Sequence, residues 1–274
     1  MLIRLYLNCR EGGIHIMHDI HIHTSLSSCA DPGSELSDYA PAIKEANLSA
    51  VGFANHLWDS AIPGASDWYR PQNIEHVMQL KNQLKNYDFG SAKVYFGCET
   101  EYIGNGVVGL HPDNAGLFDY ILVPPNHFHM AGFTRPENLT ALPDVRQLMI
   151  EHFLEICDID FAFGLVHPFV PLGYEDQGQE LLHGFKDEDF EKCFKYAAKK
   201  DKRIEINLCI FRHRYKEQLE EYKRLMTIAR ICGCKFFSGS DSHCADVFRQ
   251  NTNKLLNDFI TDCGIVLPDN PFTN

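Results

Sequence analysis

The sequence has 274 residues, of which 45% are apolar and 23% charged, as is ordinary for a globular protein. Its formal net charge of −12 argues against a surface whose main role is to bind nucleic acid. No run of eighteen apolar residues occurs, so we expect no membrane-spanning helix.

The N-terminal stretch MLIRLYLNCREGGIHIM is a poor signal peptide, because Arg4 interrupts its apolar part and no small-residue cleavage site follows. We therefore predict that residues 1–16 are an N-terminal extension, either disordered or a start-site artefact, and that residues 17–274 form one domain. The ten cysteines are scattered without a Cys-x-x-Cys pair, which favours reduced thiols and a cytoplasmic location.

In chain order, strand-like apolar runs alternate with helical patterns, which predicts a parallel sheet covered by helices on its faces. The predicted strands are 16–23, 50–56, 93–102, 120–127, 160–169, 203–210 and 235–243. Helical patterns cover 34–48, 71–85, 143–157, 187–200 and 216–230. About seven such units fit either a closed barrel or an open, doubly wound sheet.

Polar residues of metal-ligand type lie at the carboxyl ends of these strands. His21 and His23 end the first strand and are two residues apart, so they should point to the same face. The other strand ends carry His56, Glu99, His127, His167, Asp241 and His243. A parallel barrel would bring all these ends to one mouth, whereas an open sheet would spread them along a line. The pattern therefore favours a barrel with a shared metal site.

Imidazole and carboxylate ligands suit zinc, manganese or iron, and eight candidates exceed the needs of one tetrahedral ion. We expect two or three divalent ions, with Glu99 as a bridge. Ions in such a site activate water and stabilise the charge of a transferring phosphoryl group, which predicts hydrolytic chemistry.

Together these motifs resemble those of the polymerase and histidinol phosphatase (PHP) family of metal-dependent phosphoesterases. The matching segments are Asp19-Ile-His-Ile-His23-Thr24, Asn55-His56, Gly97-Cys-Glu99, His127-Phe128, His167-Pro168, Glu205-Ile-Asn207 and Gly239-Ser-Asp-Ser-His243. They span residues 19–243 in the family's order. The resemblance implies a distorted barrel of seven βα units that acts on a small phosphomonoester, with histidinol phosphate as one candidate.

The resemblance also implies a role for each ligand. His21, His23, Glu99 and Asp241 would hold the first ion, Glu99, His127 and His167 the second, and His56 and His243 the third. Glu99 and Asp241 would hold the ions whose bound water attacks the substrate.

Two departures from the family pattern concern the third site. The family often has His or Asp where this chain has Cys29, with Asp31 close behind, and Ala54-Asn-His56 replaces Thr-Asp-His. Cys29 is either a ligand or a buried free thiol.

The sequence allows two interpretations for each of three other features. Arg212 and Arg214 follow the sixth strand as either a phosphate anchor or a solvated pair. Glu205 is either a support for a ligand or an ordinary strand end, and His129 competes with His127 for one ligand position.

Two other function classes remain open from the sequence. An amidohydrolase-like enzyme that cleaves C–N bonds also uses a His-x-His pair and a late Asp, but many of its sites are bridged by a carboxylated lysine. A binding module with a residual metal site would have lost several ligands. The expected partner is a small phosphorylated substrate, without nucleic acid or membrane, and the sequence does not give the oligomeric state.

Overall fold

The computed structural model describes residues 18–249 and 252–272, and the predicted extension over residues 1–16 lies outside them. Seven strands form one parallel sheet in sequence order, namely β1 (His18–Ile22), β2 (Ala50–Leu57), β3 (Lys93–Thr100), β4 (Tyr120–Val123), β5 (Gly164–Leu165), β6 (Arg203–Asn207) and β7 (Lys235–Gly239). All seven predicted strands are present, although β5 has only two residues within the predicted 160–169.

The helices that cover the sheet are α1 (Leu36–Ala46), α2 (Ile74–Gln83), α3 (Leu142–Cys157), α4 (Gly178–His183), α5 (Asp187–Lys199), α6 (Leu219–Ile231) and α7 (Thr252–Cys263). The five predicted helices are confirmed, and α4 and α7 are additional. Local sequence sets several of the ends. The Asn73 side chain accepts the His76 N–H at the start of α2, and Pro143 occupies the first turn of α3.

The first and last strands meet, so the sheet forms a nearly closed barrel. His23 N–H donates to the Ser242 carbonyl at 2.9 Å beyond the ends of β1 and β7. Side chains complete the seam further down, where the Asp19 carboxylate accepts the main-chain N–H groups of His21 and Ser240, each at 3.1 Å. The predicted α/β barrel of seven βα units is thus confirmed.

Alternation along the strands separates two apolar regions. In β3, Val94, Phe96 and Cys98 pack outward against the helices, while Tyr95 belongs to a smaller cluster inside the barrel. Glu99 lies on the same inward row as Tyr95, two alternations further toward the carboxyl end. The apolar interior therefore supports a polar mouth directly above it.

Tyr120 fills the barrel interior beneath this mouth. A side chain at Gly52 or Gly97 would collide with the Tyr120 ring, and the Tyr120 hydroxyl donates to the Ile20 carbonyl at 2.7 Å. The small residues on β2 and β3 are therefore required by the large one on β4. Among the described residues, none of the helices combines the length and the apolarity that crossing a bilayer requires.

Candidate metal centre

The predicted ligand residues lie together at the carboxyl end of the barrel, most of them buried. A register shift between Asp19 and Ile22 changes the alternation of β1, so His21 faces the mouth although its neighbour Ile20 belongs to the interior cluster. His56 and Glu99 are paired across β2 and β3, which brings His56 Nδ1 within 3.1 Å of Glu99 Oε2.

Glu99 is at the centre of the arrangement, and its two oxygens face different histidines. Oε2 is 3.4 Å from His21 Nε2 and 3.3 Å from His23 Nε2. Oε1 is 3.2 Å from His167 Nε2 and 3.7 Å from His127 Nε2. Burial opposes ionisation, yet the charges of His56 and His21 hold the pKa of Glu99 well below its usual range.

Three groups of side chains have ligand atoms that all lie within 4.8 Å of one another. These groups are His21, His23 and Asp241; Glu99, His127 and His167; and His23, Cys29 and His56. Two ligands about 2.0–2.1 Å from a zinc ion at a tetrahedral angle are roughly 3.4 Å apart. The separation of 3.2 Å between His21 Nε2 and His23 Nε2, and of 3.1 Å between His127 Nε2 and His167 Nε2, therefore fits ligands of a common ion.

The predicted third group differs from the one that the structure brings together. His243 stacks on His23 with 4.9 Å between ring centroids, and its Nε2 is 4.0 Å from Asp241 Oδ1. It lines the cavity but is not part of a three-residue group among the described residues. The third residue grouped with Cys29 and His56 is His23 and not His243.

Two carboxylates behind the centre orient its histidines. Glu205 Oε1 accepts from His21 Nδ1 at 2.7 Å, and Glu101 Oε2 accepts from His127 Nδ1 at 2.7 Å. Both glutamates are fully buried. A proton fixed on Nδ1 leaves the Nε2 lone pair free to face the centre, as in carboxylate–histidine–metal arrangements. Of the two interpretations of Glu205 from the sequence, this contact with His21 favours a support for a candidate ligand.

The sequence analysis did not identify Glu101, although a signal for it was present. Glu101 follows Glu99 by two residues, so both side chains turn to the same face. Burial opposes the charge on His127, but Glu101 raises the pKa of this imidazole to about 9. Tyr69 from the loop after β2 donates to the same Glu101 oxygen at 2.9 Å.

Two of the candidate ligands have backbone conformations that non-glycine residues rarely adopt. His167 has φ 32° and Asp241 has φ 51°. The Glu205 carboxylate accepts the His167 N–H at 2.6 Å and so holds the backbone at this position. Strain of this kind is commonly found where a side chain is held in place for function.

A cavity of about 510 Å³ opens above the centre, which is a size suited to a small molecule. Arg212 and Arg214 lie on its rim and are exposed, and an Arg212 guanidinium nitrogen is 3.5 Å from the Asp241 carbonyl. His129 also lines the cavity, 5.2 Å from His127 between ring centroids, while His127 is the residue that belongs to a ligand group.

No family model matches the chain, and no curated protein sequence matches it. Comparison with solved structures gives clear similarities of fold. A histidinol phosphate phosphatase from Lactococcus lactis, in complex with zinc, L-histidinol and phosphate, is similar with a TM-score of 0.60 and 14% identity, over 93% of this chain and 96% of the other. The chain has the fold of this phosphatase.

A proposed histidinol phosphatase from Listeria monocytogenes is similar to the same degree, with a TM-score of 0.60 and 13% identity, over 86% of this chain and 99% of the other. The resemblance that the sequence motifs suggested is therefore confirmed at the level of the fold. At these identities the similarity shows the architecture, and the chemistry depends on the side chains described above.

Proposed function

We propose that this protein is a metal-dependent phosphoesterase that hydrolyses a small phosphomonoester. The observation that supports this most strongly is the position of Glu99, whose two oxygens face two separate sets of histidines. A carboxylate in this position can bridge two ions, and paired ions are common in sites that hydrolyse phosphate esters. The bound zinc, histidinol and phosphate of the Lactococcus structure make histidinol phosphate one candidate substrate.

The three groups of side chains would hold two or three divalent ions, of zinc, manganese or iron. One ion would be held by His21, His23, Asp241 and Glu99, and another by Glu99, His127 and His167. A third would be held by Cys29 and His56, with His243 lining the cavity nearby, because the inward-facing nitrogen of His23 would already serve the first ion. Such ions supply Lewis acidity, which activates water and withdraws charge from phosphoryl oxygens.

The protein's own residues orient these ligands and bind the substrate. Glu205 and Glu101 fix the protons of His21 and His127 on Nδ1, away from the centre. Arg212 and Arg214 at the rim are placed to attract the phosphate dianion. In the net reaction the bond from phosphorus to the leaving oxygen breaks, a bond to the oxygen of water forms, and a proton from the water ends on the released alcohol.

Cleavage of C–N bonds by an amidohydrolase-type site is less well supported. No lysine lines the cavity in the part of the chain that the structure describes. The buried Lys202 donates instead to the carbonyls of Ile159, Asp160 and Ala162 after α3. The described lining therefore offers no lysine that could be carboxylated, whereas Glu99 lies between two sets of histidines.

The test is to purify the protein without chelator, measure its metal content by elemental analysis, and assay a panel of phosphomonoesters beside a panel of amides. We expect phosphate release that a chelator abolishes and added metal restores. Glu99→Gln should lose activity, whereas Glu191→Gln, a surface substitution beside Lys195, should not. Amide cleavage without phosphate release would contradict the proposal.

A further inference from the structure

The cavity above the metal centre has two chemically different sides. Trp68 and Tyr69 from the loop after β2, with Phe133 from the loop after β4, form an aromatic wall. Arg212 and Arg214 from the loop after β6 form a basic rim. A phosphate ester also has two parts, an anionic phosphate and the organic group that is released as an alcohol. The basic rim suits the phosphate, and the aromatic wall suits the organic group.

Trp68 is the accessible member of the aromatic wall. Its side chain is 39% exposed, whereas Tyr69 is fully buried. The Trp68 ring lies 5.1 Å from the ring of His56, a candidate ligand, and 4.7 Å from the ring of Tyr69, in edge-to-face contacts. An aromatic surface therefore remains open directly beside the metal centre.

The loop that carries Trp68 is held in place before any ligand arrives. The Gln72 side chain donates to the Trp68 carbonyl at 3.1 Å and accepts the Ser28 N–H at 2.9 Å. Behind Trp68, the rings of Tyr69 and Phe133 are 5.7 Å apart between centroids. A rigid aromatic surface binds a flat group at a low cost in conformational entropy.

The charge of the cavity disfavours a cationic leaving group. Among the described residues that line it, the only carboxylates are Glu99 and Asp241, and both are candidate metal ligands. Arg212 and Arg214 add positive charge at the rim. An ammonium group on the substrate would find no free carboxylate there, and burying an unpaired charge is costly.

We propose that the leaving group is an aromatic or flat apolar alcohol without an ammonium group, and that it stacks on Trp68 while the phosphate lies between the metal centre and the arginines. The inference rests on the proposed phosphoesterase function. It places histidinol phosphate, which carries an ammonium group, among the poorer substrates.

Four phosphate esters separate the effect of an aromatic ring on the substrate from the effect of an ammonium group. Benzyl phosphate has a ring and no ammonium, 2-aminoethyl phosphate has an ammonium and no ring, histidinol phosphate has both, and ethyl phosphate has neither. All four release alcohols, so differences in leaving-group chemistry are small. We expect kcat/KM to be highest for benzyl phosphate and lowest for 2-aminoethyl phosphate. A preference for 2-aminoethyl over ethyl phosphate would overturn the proposal, because the wall would then bind cations through its rings.

Substitution of Trp68 tests the stacking contact directly. Trp68→Ala should lower kcat/KM for benzyl phosphate roughly tenfold more than it lowers kcat/KM for ethyl phosphate, while Trp68→Phe should retain most of the preference. Tyr87→Ala is the matched control, because Tyr87 is also 39% exposed but lies after α2, away from the cavity. An equal loss for both esters in Trp68→Ala would refute a specific contact with the ring.

A binding measurement keeps this inference separate from the proposed function. Calorimetry on the metal-containing protein can compare benzylphosphonate with ethylphosphonate, which are not hydrolysed. Tighter binding of benzylphosphonate, lost in Trp68→Ala, would support the aromatic subsite even if no ester were turned over, in which case only the phosphoesterase proposal would fail. Equal binding of the two phosphonates would overturn the subsite, whatever the activity.

The chain has only two tryptophans, and Trp58 is buried with its indole N–H bonded to the Ile62 carbonyl at 2.9 Å. In a Trp58→Phe protein, Trp68 is the one remaining tryptophan. The tryptophan fluorescence of this variant should therefore change when benzylphosphonate binds. An unchanged signal at saturating benzylphosphonate would contradict stacking on this ring.

Discussion

Replacing Glu205 by glutamine would disturb the metal centre without touching a proposed ligand. The Glu205 carboxylate accepts three hydrogen bonds, from His21 Nδ1 at 2.7 Å on one oxygen, and from the His167 N–H at 2.6 Å and Asn207 Nδ2 at 2.9 Å on the other. A glutamine has only one accepting oxygen. That oxygen is best placed toward the two donors, so its NH₂ group then faces His21.

The expected magnitude follows from the tautomer of His21. An NH₂ donor opposite Nδ1 favours the tautomer that carries its proton on Nε2, and a protonated Nε2 cannot bind a metal. Loss of such a supporting partner typically lowers metal affinity 10–100-fold, which is about 1.4–2.7 kcal/mol. We expect the group formed by His21, His23 and Asp241 to lose this much affinity for its metal ion.

The assay is a titration of the metal-free protein against a chromogenic chelator, which gives both affinity and stoichiometry. Glu101→Gln is the matched comparison, since among the described residues the Glu101 carboxylate bonds only to His127 and Tyr69. This substitution should lower the metal affinity of the group formed by Glu99, His127 and His167. Glu191→Gln on the surface is the negative control. Wild-type affinity and stoichiometry in Glu205→Gln would refute the argument from the tautomer.

Four further outcomes are expected. Glu99→Ala should remove about two equivalents of metal and lower activity more than any single histidine substitution, and full metal content with an unchanged rate would exclude a bridging role. Replacing both Arg212 and Arg214 by glutamine should mainly raise KM, by about tenfold for lost charge-assisted bonds at an exposed rim, and unchanged kinetics would place the anchor elsewhere. Cys29→Ala should lose about one equivalent of zinc while Cys29→His keeps it, since thiolate and imidazole both bind zinc; a full complement in Cys29→Ala would remove Cys29 from the ligands. Burial lowers the pKa of His18 to about 4, below its ordinary value of 6.5. The unfolded chain therefore binds this proton more readily, and stability that is fully present above pH 6.5 should fall by up to roughly 3 kcal/mol as the pH approaches 4. Denaturant unfolding should show a smaller loss in His18→Gln.

The sequence predicted the strand order and the residues at the mouth because both depend on local patterns. Alternation of strand and helix predicted a parallel sheet, and the ligand-type residues at the strand ends favoured its closure into a barrel over an open sheet. The β5 region was predicted too long, as residues 160–169. The strand ends after Leu165 because His167 and Phe169 adopt left-handed backbone conformations, which a strand cannot continue through.

Contacts between distant segments could not be predicted in the same way. Glu99 near the end of β3 and Glu101 just beyond it have different surroundings, although both side chains turn to the same face. Glu99 faces the histidines of four strand ends, whereas Glu101 is bound from behind by Tyr69, which belongs to a loop 32 residues earlier in the chain. Only the folded loop distinguishes the carboxylate that we propose as a bridge from the one that contacts His127 from behind.

The same loop connects the chemistry of the centre to the choice of substrate. Tyr69 bonds to Glu101, which orients His127, while the preceding residue Trp68 presents its ring to the cavity. A change in this loop that moves Trp68 would therefore also shift Tyr69 and the imidazole that Glu101 holds. Substitution of the Trp68 side chain alone leaves the bond from Tyr69 to Glu101 in place. Specificity at this wall can therefore be altered by single side chains more safely than by insertions in the loop.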